Sequence, residues 1–337
     1  MKLESMLDVN GTEFLANRDL LLKKIEEFRS LELLVDSKSN EAKEKVSKLG
    51  KLLPRERLQH LLDPGAPFVE IAGLAGFRMH DDEDGSLAGG GMIAGIGFVE
   101  GVRILAVVNN YTIKGGTISP AGLRKILRLH EIALENRLPL ITLAESGGAN
   151  LNYASEVYIE GARAFANQAR LSAAGIPQIT VVHGNATAGG AYQPGLSDYI
   201  VLIKNQSKMF LAGPPLVKAA TGETVDDETL GGAMKHAQTT GTGEFFAEND
   251  LEAIGIARRI VKQLGWNEPL KLNLPSRPKW FEPIFPIDEV LGVVPSDTKK
   301  PYDVREILAR LTDGSEFEEF KAEYDQQTVC GRALIFG

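Results

Sequence analysis

Residues 144–150 read Ala-Glu-Ser-Gly-Gly-Ala-Asn, and residues 187–192 read Thr-Ala-Gly-Gly-Ala-Tyr. Each stretch follows a short apolar run typical of a buried strand, Leu140 to Leu143 and Ile179 to Val182, and precedes a segment with helical periodicity. A double glycine at a strand-to-helix turn lets backbone N–H groups approach a ligand closely. The pattern favours a layered α/β fold that holds an oxyanion on main-chain amides, although two tight turns without a ligand remain the alternative.

Composition excludes several classes of protein. A chain of 337 residues has room for one large or two medium domains. A formal net charge of -8 argues against nucleic acid as a partner, since a phosphate backbone needs a basic face. No apolar run reaches the length of about 18 residues that a membrane span needs.

The single cysteine, Cys330, rules out a zinc ribbon and a disulfide framework and fits a reducing compartment. The first residues lack the apolar core of a signal peptide. Together these features predict a cytoplasmic protein.

Segment composition predicts four parts along the chain. Residues 1–65 are charged and periodic, which predicts an N-terminal helical arm. Residues 66–266 alternate strands and helices, beginning with two strands joined at a hairpin turn, Glu100-Gly101. A helix is predicted from about Pro120 to Asn136, before the first glycine turn. Residues 267–302 form a Pro-rich connector, and residues 303–337 begin a second domain. There we predict a helix from Tyr302 to Thr312 and an apolar strand starting near Thr328. Because the chain stops there, we expect a fragment or one half of a split enzyme.

Other motifs carry weaker signals. The glycines of residues 89–97 do not follow the strand-glycine-helix order of a dinucleotide site, and no P-loop occurs. The acidic stretch at residues 80–85 is typical of a solvated loop, so we predict no metal site. Ser146 lacks the setting of a nucleophile elbow. His183 is more typical of a structural hydrogen-bonding residue than of a base.

Three polar side chains, Glu145, Tyr192 and Asp198, are candidates for the polar wall of a pocket. A further candidate is Lys218, which follows two prolines at the start of a short helix and could meet a phosphate.

Several motifs together resemble the carboxyltransferase (β) subunit of biotin-dependent acyl-CoA carboxylases, nearest to the methylcrotonyl-CoA and geranyl-CoA branch. The motifs occur in the family's order and include, among others, Pro54-Arg55-Glu56-Arg57, Lys114-Gly115-Gly116-Thr117, Ser146-Gly147-Gly148-Ala149, Thr187-Ala188-Gly189-Gly190-Ala191-Tyr192, the run from Phe210 to Glu223, and Gly231-Gly232-Ala233. The resemblance covers the chain from about residue 10 to its end.

The resemblance implies a crotonase-like superhelix of β-β-α units with an oxyanion hole at Gly189 and Gly190. It implies that the acyl-CoA site is lined by Ser146, Gly147, Gly148, Ala149, Ala188, Ala191, Tyr192 and Lys218, without a metal. It also implies homo-oligomers and a partner subunit that carries biotin carboxylase and the biotin carrier. Biotin would be the cofactor, acyl-CoA the substrate, and methylcrotonyl-CoA the first choice before geranyl-CoA.

In such a mechanism carboxybiotin yields CO₂ and a base, and main-chain amides stabilise the thioester enolate that attacks the CO₂. Two alternatives stay open. A crotonase-like enoyl-CoA hydratase or isomerase would need a carboxylate over the substrate, for which Glu145 is the candidate. A non-catalytic acyl-CoA-binding fragment would need none.

Overall fold

In the computed structural model, which describes residues 2–266, 279–320 and 327–337, nearly continuous apolar runs form the strands of a mixed sheet. The strands are β1 (Val69–Glu70), β2 (Met92–Val99), β3 (Val102–Asn109), β4 (Leu140–Ser146), β5 (Gln178–Thr187), β6 (Tyr199–Ile203), β7 (Lys208–Phe210), β8 (Phe245–Ala247), β9 (Glu318–Phe320) and β10 (Cys330–Arg332). The helices are α1 (Thr12–Asn40), α2 (Lys43–Lys48), α3 (Pro54–Leu61), α4 (Pro120–Asn136), α5 (Ala154–Ala173), α6 (Gly189–Gly195), α7 (Pro214–Thr221), α8 (Asp227–Gly231), α9 (Ala233–Lys235), α10 (Asp250–Gln263), α11 (Val290–Val293) and α12 (Arg305–Leu311).

The backbone divides into two units, Leu31–Glu268 and a second unit made of Met1–Ser30 with Pro269–Gly337. The first part of the predicted Pro-rich connector, residues 267–278, lies outside the described residues. The predicted four-part division stays a prediction.

The unit Leu31–Glu268 contains a sheet with the strand order β1-β2-β3-β4-β5-β6-β8, and β7 pairs with the end of β5. The first three strands are antiparallel, and the pairings from β3 onward are parallel. Glu100 and Gly101 take φ of 51° and 73°, the backbone of a two-residue hairpin, so the predicted turn is confirmed. Helices on both faces bury the parallel strands, which explains their apolar runs.

One face of this sheet packs against α3 and α10, through residues such as Leu58, Leu61 and Ile254. The other face lies under α4 and α5, which meet each other through Leu123 and Val157. Helix α4 begins where the sequence predicts, at Pro120. These two helices and the strands below them position the candidate site.

The second unit has its own small apolar cluster, in which Leu3, Ala309 and Phe317 are buried. Strands β9 and β10 pair antiparallel there, with Cys330 opposite Phe320. The predicted C-terminal helix and strand are therefore present as α12 and β10.

Within the described ranges, no helix combines the length and apolar character needed to cross a membrane.

Candidate functional site

The second glycine turn has a strained backbone at the junction of β5 and α6. Ala188 joins the two elements with φ 52° and ψ -123°, a conformation that a residue with a Cβ rarely adopts. The first N–H groups of a helix have no intrahelical partner. The amides of Gly189 and Gly190 therefore face outward at the start of α6, where they can bind an oxyanion.

The two glycines of this turn have different surroundings. A Cβ on Gly190 would lie 3.1 Å from both Cβ and Oγ of Ser146, closer than side chains normally pack. A Cβ on Gly189 would meet only Phe165 Cζ, at 3.9 Å. Gly190 is thus required for the close approach of the two turns.

The first glycine turn uses its own amides internally. The Gly147 N–H donates to Gly115 O at 3.0 Å, and the Gly148 N–H donates to Ser146 Oγ at 3.1 Å. Ser146 Oγ in turn donates to Gly116 O at 2.9 Å. Because both amides and the hydroxyl are occupied, this turn offers neither an oxyanion hole nor a free nucleophile.

A cavity of about 470 Å³ opens at the two turns and runs between the sheet and helices α4 and α5. This volume lies within the range of about 300–1,000 Å³ that small-molecule sites occupy. Ser146, Gly147, Gly189 and Gly190 line its mouth. Its walls are mostly apolar and include Val107, Ile118, Leu123, Ile126, Leu129, Leu140, Val157, Ala164, Phe165, Leu211 and Leu216.

Besides Ser146, four polar side chains that line this cavity are buried, namely Asn109, His130, Thr142 and Gln168. Asn109 Oδ1 is occupied, because it accepts a hydrogen bond from Glu145 N at 3.2 Å. His130 is 7% exposed, and its Nδ1 has no hydrogen-bond partner among the described residues. Burial lowers the pKa of His130 to about 4, so its imidazole is neutral at physiological pH.

Six of the predicted site residues line the cavity, namely Ser146, Gly147, Ala149, Ala188, Gly189 and Gly190. The predicted residues Gly148, Ala191, Tyr192 and Lys218 lie outside its lining. Tyr192 is close by, since its ring centroid lies 4.8 Å from that of Phe165. Lys218 is exposed on α7, two residues from Leu216 of the cavity wall.

Glu145 does not face the cavity, which makes its proposed place in the pocket wall wrong. Its carboxylate pairs with Lys51 Nζ at 2.7 Å and with the fully buried Arg57 Nη1 at 2.8 Å. Arg57 Nε also pairs with Asp250 at 3.1 Å, and Asp250 holds His183 Nδ1 at 2.9 Å. We call Lys51, Arg57, Glu145, His183 and Asp250 the buried ionic cluster.

Charge and burial in this cluster shift the pKa values of His183 and Asp250. Burial, with the charge of Arg57, lowers the pKa of His183 to about 4, so the ring is neutral at physiological pH. The hydrogen bond from His183 and the charge of Arg57 hold the pKa of Asp250 well below its usual range, against the opposing effect of its burial.

Asp198 also lies away from the cavity, where it accepts hydrogen bonds from Gln178 N at 2.8 Å and Ser172 Oγ at 3.1 Å. The described parts of the chain contain no group of three or more metal-binding side chains. In the acidic loop at residues 80–85, Asp81 pairs with Lys114 and Tyr153.

Sequence reasoning missed the inner residues of the cavity, above all His130 and Gly161. A histidine among apolar helix positions gives no signal of its own. Gly161 does give one, because a glycine inside a helix costs about 1 kcal/mol relative to alanine and needs a compensating reason. No atom lies within 4 Å of the position that its Cβ would take, and Gly161 lines the cavity.

Comparisons with known proteins show the family to which the chain belongs. The carboxyl transferase domain family matches residues 45–337. The chain is 50% identical to the probable biotin-dependent acyl-coenzyme A carboxylase beta2 subunit of Mycobacterium tuberculosis, over 86% of this chain and 53% of the relative. It is 45% identical to the mitochondrial methylcrotonoyl-CoA carboxylase beta chain of Dictyostelium discoideum, over 99% of this chain and 57% of the relative.

Among solved structures, the geranyl-CoA carboxylase beta subunit of P. aeruginosa matches with a TM-score of 0.90 and 58% identity, over 99% of this chain and 62% of that one. The transcarboxylase 12S hexamer core, with hydrolysed methylmalonyl-coenzyme A bound, matches with a TM-score of 0.65 and 29% identity, over 92% of this chain and 61% of that one. The predicted α/β, carboxyltransferase-type fold is thereby confirmed. The chain spans less than two thirds of the length of each of these relatives.

Proposed function

Because this chain belongs to the carboxyl transferase domain family, we propose that it forms the acyl-CoA half of the active site of a biotin-dependent acyl-CoA carboxylase. The observation that carries this proposal is the junction of a strained turn and a cavity. The amides of Gly189 and Gly190, which have no hydrogen-bond partner among the described residues, lie at the mouth of an apolar, acyl-sized space. A thioester placed there puts its carbonyl oxygen on the amides and its acyl chain in the cavity.

The residues of this chain bind and orient the substrate. When bound, carboxylated biotin supplies the CO₂ and the base that the reaction needs. The amides at the start of α6 hold the negative charge that develops on the thioester oxygen as a proton leaves the acyl group. The apolar walls exclude water from the enolate, which strengthens these hydrogen bonds.

The dimensions of the cavity favour a branched, unsaturated acyl group longer than methylcrotonyl. From Gly161 to Gln168 the cavity follows α5 for seven residues, about 10 Å at the rise of an α-helix. Gly161 leaves this inner part open. An acyl main chain of about geranyl length therefore suits the cavity better than our first choice from the sequence, methylcrotonyl.

The remaining parts of the proposal concern the assembly. Two relatives are named as beta subunits or chains, and the 12S relative as a hexamer core. We propose that this chain likewise works in a homo-oligomer, with a partner subunit that carries biotin and its carboxylase. A cytoplasmic location is also part of the proposal, supported by the single, unpaired Cys330.

The hydratase alternative is not favoured. It needs a carboxylate directed at the substrate, but Glu145 is held by Lys51 and Arg57 outside the cavity lining.

The test is incorporation of radiolabelled bicarbonate into acyl-CoAs by the natural polypeptide that carries this sequence, assembled with its biotin-bearing partner. We expect labelled product from the wild type, none from Gly190→Val, and wild-type labelling from Gly255→Val. Gly255 is the matched control because it lies on α10, across the sheet, with no atom within 4 Å of its Cβ position. Hydration of an enoyl-CoA without any incorporation would overturn the proposal.

A further inference from the structure

The inner part of the cavity contains polar groups that the proposed reaction does not use. The ring of His130 makes no hydrogen bond to any residue in the described ranges, and its Nδ1 is fully enclosed. The hydroxyl of Thr142 likewise has no partner among them. Gln168 donates Nε2 to Gln193 O at 3.0 Å, which leaves its Oε1 as an unused acceptor. We call His130, Thr142 and Gln168 the inner polar band.

This band lies at a defined depth. Four residues of β4 separate Thr142 from Ser146 at the mouth, about 13 Å along a strand. On α4, His130 lies seven residues beyond Leu123, which also lines the cavity; this separation is about 10 Å along a helix. An extended chain advances about 1.2 Å per bond, so a main chain of about eight to ten atoms reaches from the oxyanion site to the band.

The chemistry of the band selects the group that would meet it. A hydrocarbon end would displace water from these groups and leave them buried without partners, which costs free energy. A neutral imidazole offers one donor and one acceptor, a threonine hydroxyl offers both, and a glutamine Oε1 accepts. Among the residues that the structure describes, no lysine or arginine lines the cavity to hold a carboxylate. A hydroxyl group, which donates and accepts, matches this set.

We propose that the natural acyl substrate carries a hydroxyl group at its far end, and that the inner polar band binds it. This inference rests on the proposed function, because it places the thioester at Gly189 and Gly190. His130 and Thr142 are then specificity residues, which act far from the reacting carbon. Their contribution is to reject acyl chains that end in a methyl group.

The experiment compares two branched, unsaturated acyl-CoAs with the same main chain of about eight carbons, one ending in a methyl group and the other in a hydroxymethyl group. Carboxylation is measured as kcat/KM with the complete assembled enzyme. Binding of each acyl-CoA is measured separately by calorimetry without bicarbonate. We expect the hydroxylated acyl-CoA to be preferred about tenfold in both measurements, the effect of one additional hydrogen bond.

The variants His130→Leu and Thr142→Val remove the polar atoms while nearly keeping the shape of the wall. Either variant should bring the preference close to one, whereas His60→Leu should retain it. His60 is the matched control because it is exposed on α3, on the opposite face of the sheet. Using two variants keeps the test valid if one of them fails to fold.

Three results would overturn the inference: equal use of both acyl-CoAs by the wild type, a preference for the methyl end, or an unchanged preference in a folded variant. A methyl preference would mean that ordered water, not substrate, satisfies the band. If the protein binds the hydroxylated acyl-CoA more tightly but carboxylates neither acyl-CoA, the result contradicts the proposed carboxylase function and leaves this inference standing.

Discussion

Filling the space beside Gly161 should stabilise the protein and shorten its cavity at the same time. Gly161 lies inside α5, and no atom is within 4 Å of its Cβ position. Glycine in a helix interior costs about 1 kcal/mol relative to alanine. Gly161→Ala should therefore raise the free energy of unfolding by up to about 1 kcal/mol.

Gly161→Leu should separate the inner part of the cavity from its mouth. Each carbon of the acyl chain that can no longer be buried costs about 0.8 kcal/mol, so the loss of four carbons costs about 3 kcal/mol. That loss lowers kcat/KM for a geranyl-length acyl-CoA about 200-fold. A methylcrotonyl-length acyl-CoA ends before the block, and its kcat/KM should change less than threefold.

The assay is kcat/KM for a series of acyl-CoAs of increasing length, combined with thermal unfolding of each variant. Gly255→Leu on α10 is the control, because it makes the same change of residue in a helix outside the cavity. Equal loss for short and long acyl-CoAs in a stable Gly161→Leu protein would refute the reasoning. A loss of stability in Gly161→Ala would refute the assignment of open space at this position.

Three further predictions concern the turn, the buried ionic cluster and pH. Gly190→Ala keeps the backbone N–H but puts a Cβ 3.1 Å from Ser146, so the turn must shift. We expect kcat to fall, at most by the factor of about 10²–10³ that a fully lost oxyanion donor costs. Gly189→Ala, which has more room, should be milder, and equal losses in steady-state rates would contradict this contrast. Arg57→Met should lower the free energy of unfolding, measured in urea, by about 3–5 kcal/mol, because it leaves buried carboxylates without their cation. The control Arg55→Met breaks a partly exposed ion pair and should lower it by less than about 1 kcal/mol. The pKa of His130 is about 4 in the folded protein and about 6.5 in the unfolded chain, so the unfolded chain binds more protons between these two pH values. The free energy of unfolding should therefore fall by up to about 3 kcal/mol as the pH drops from 6.5 to 4. His130→Leu should flatten that part of the plot of unfolding free energy against pH, and an unchanged slope would show that the ring is not buried in its neutral form.

Local patterns were sufficient to predict most of the elements around the site. The hairpin at Glu100 and Gly101, the start of α4 at Pro120 and the strand before each glycine turn all depend on neighbours within a few residues. Such signals are readable because turn chemistry and hydrophobic period act over short distances along the chain. The domain divisions and the roles of the individual site residues remain predictions.

Long-range contacts decided the rest, and sequence patterns contain little information about them. Glu145 looked like a pocket carboxylate until the fold brought Arg57, 88 positions earlier, to its side. The cavity lies between the sheet and helices α4 and α5, and Gly161 of α5 lines it. Its inner polar band joins His130, Thr142 and Gln168 from three different elements.

The sequence by itself determined that two double glycines end two neighbouring strands, and through their motifs it indicated the family. The resemblance already assigned the oxyanion hole to Gly189 and Gly190, and only the tertiary structure shows how the amides of the two pairs differ. At Gly147 and Gly148 the N–H groups are already bonded to Gly115 O and Ser146 Oγ, whereas Gly189 and Gly190 begin a helix. The two motifs have nearly the same sequence. Their amides differ because the loop at Gly115, about thirty residues before the first motif, folds against that motif and not against the second.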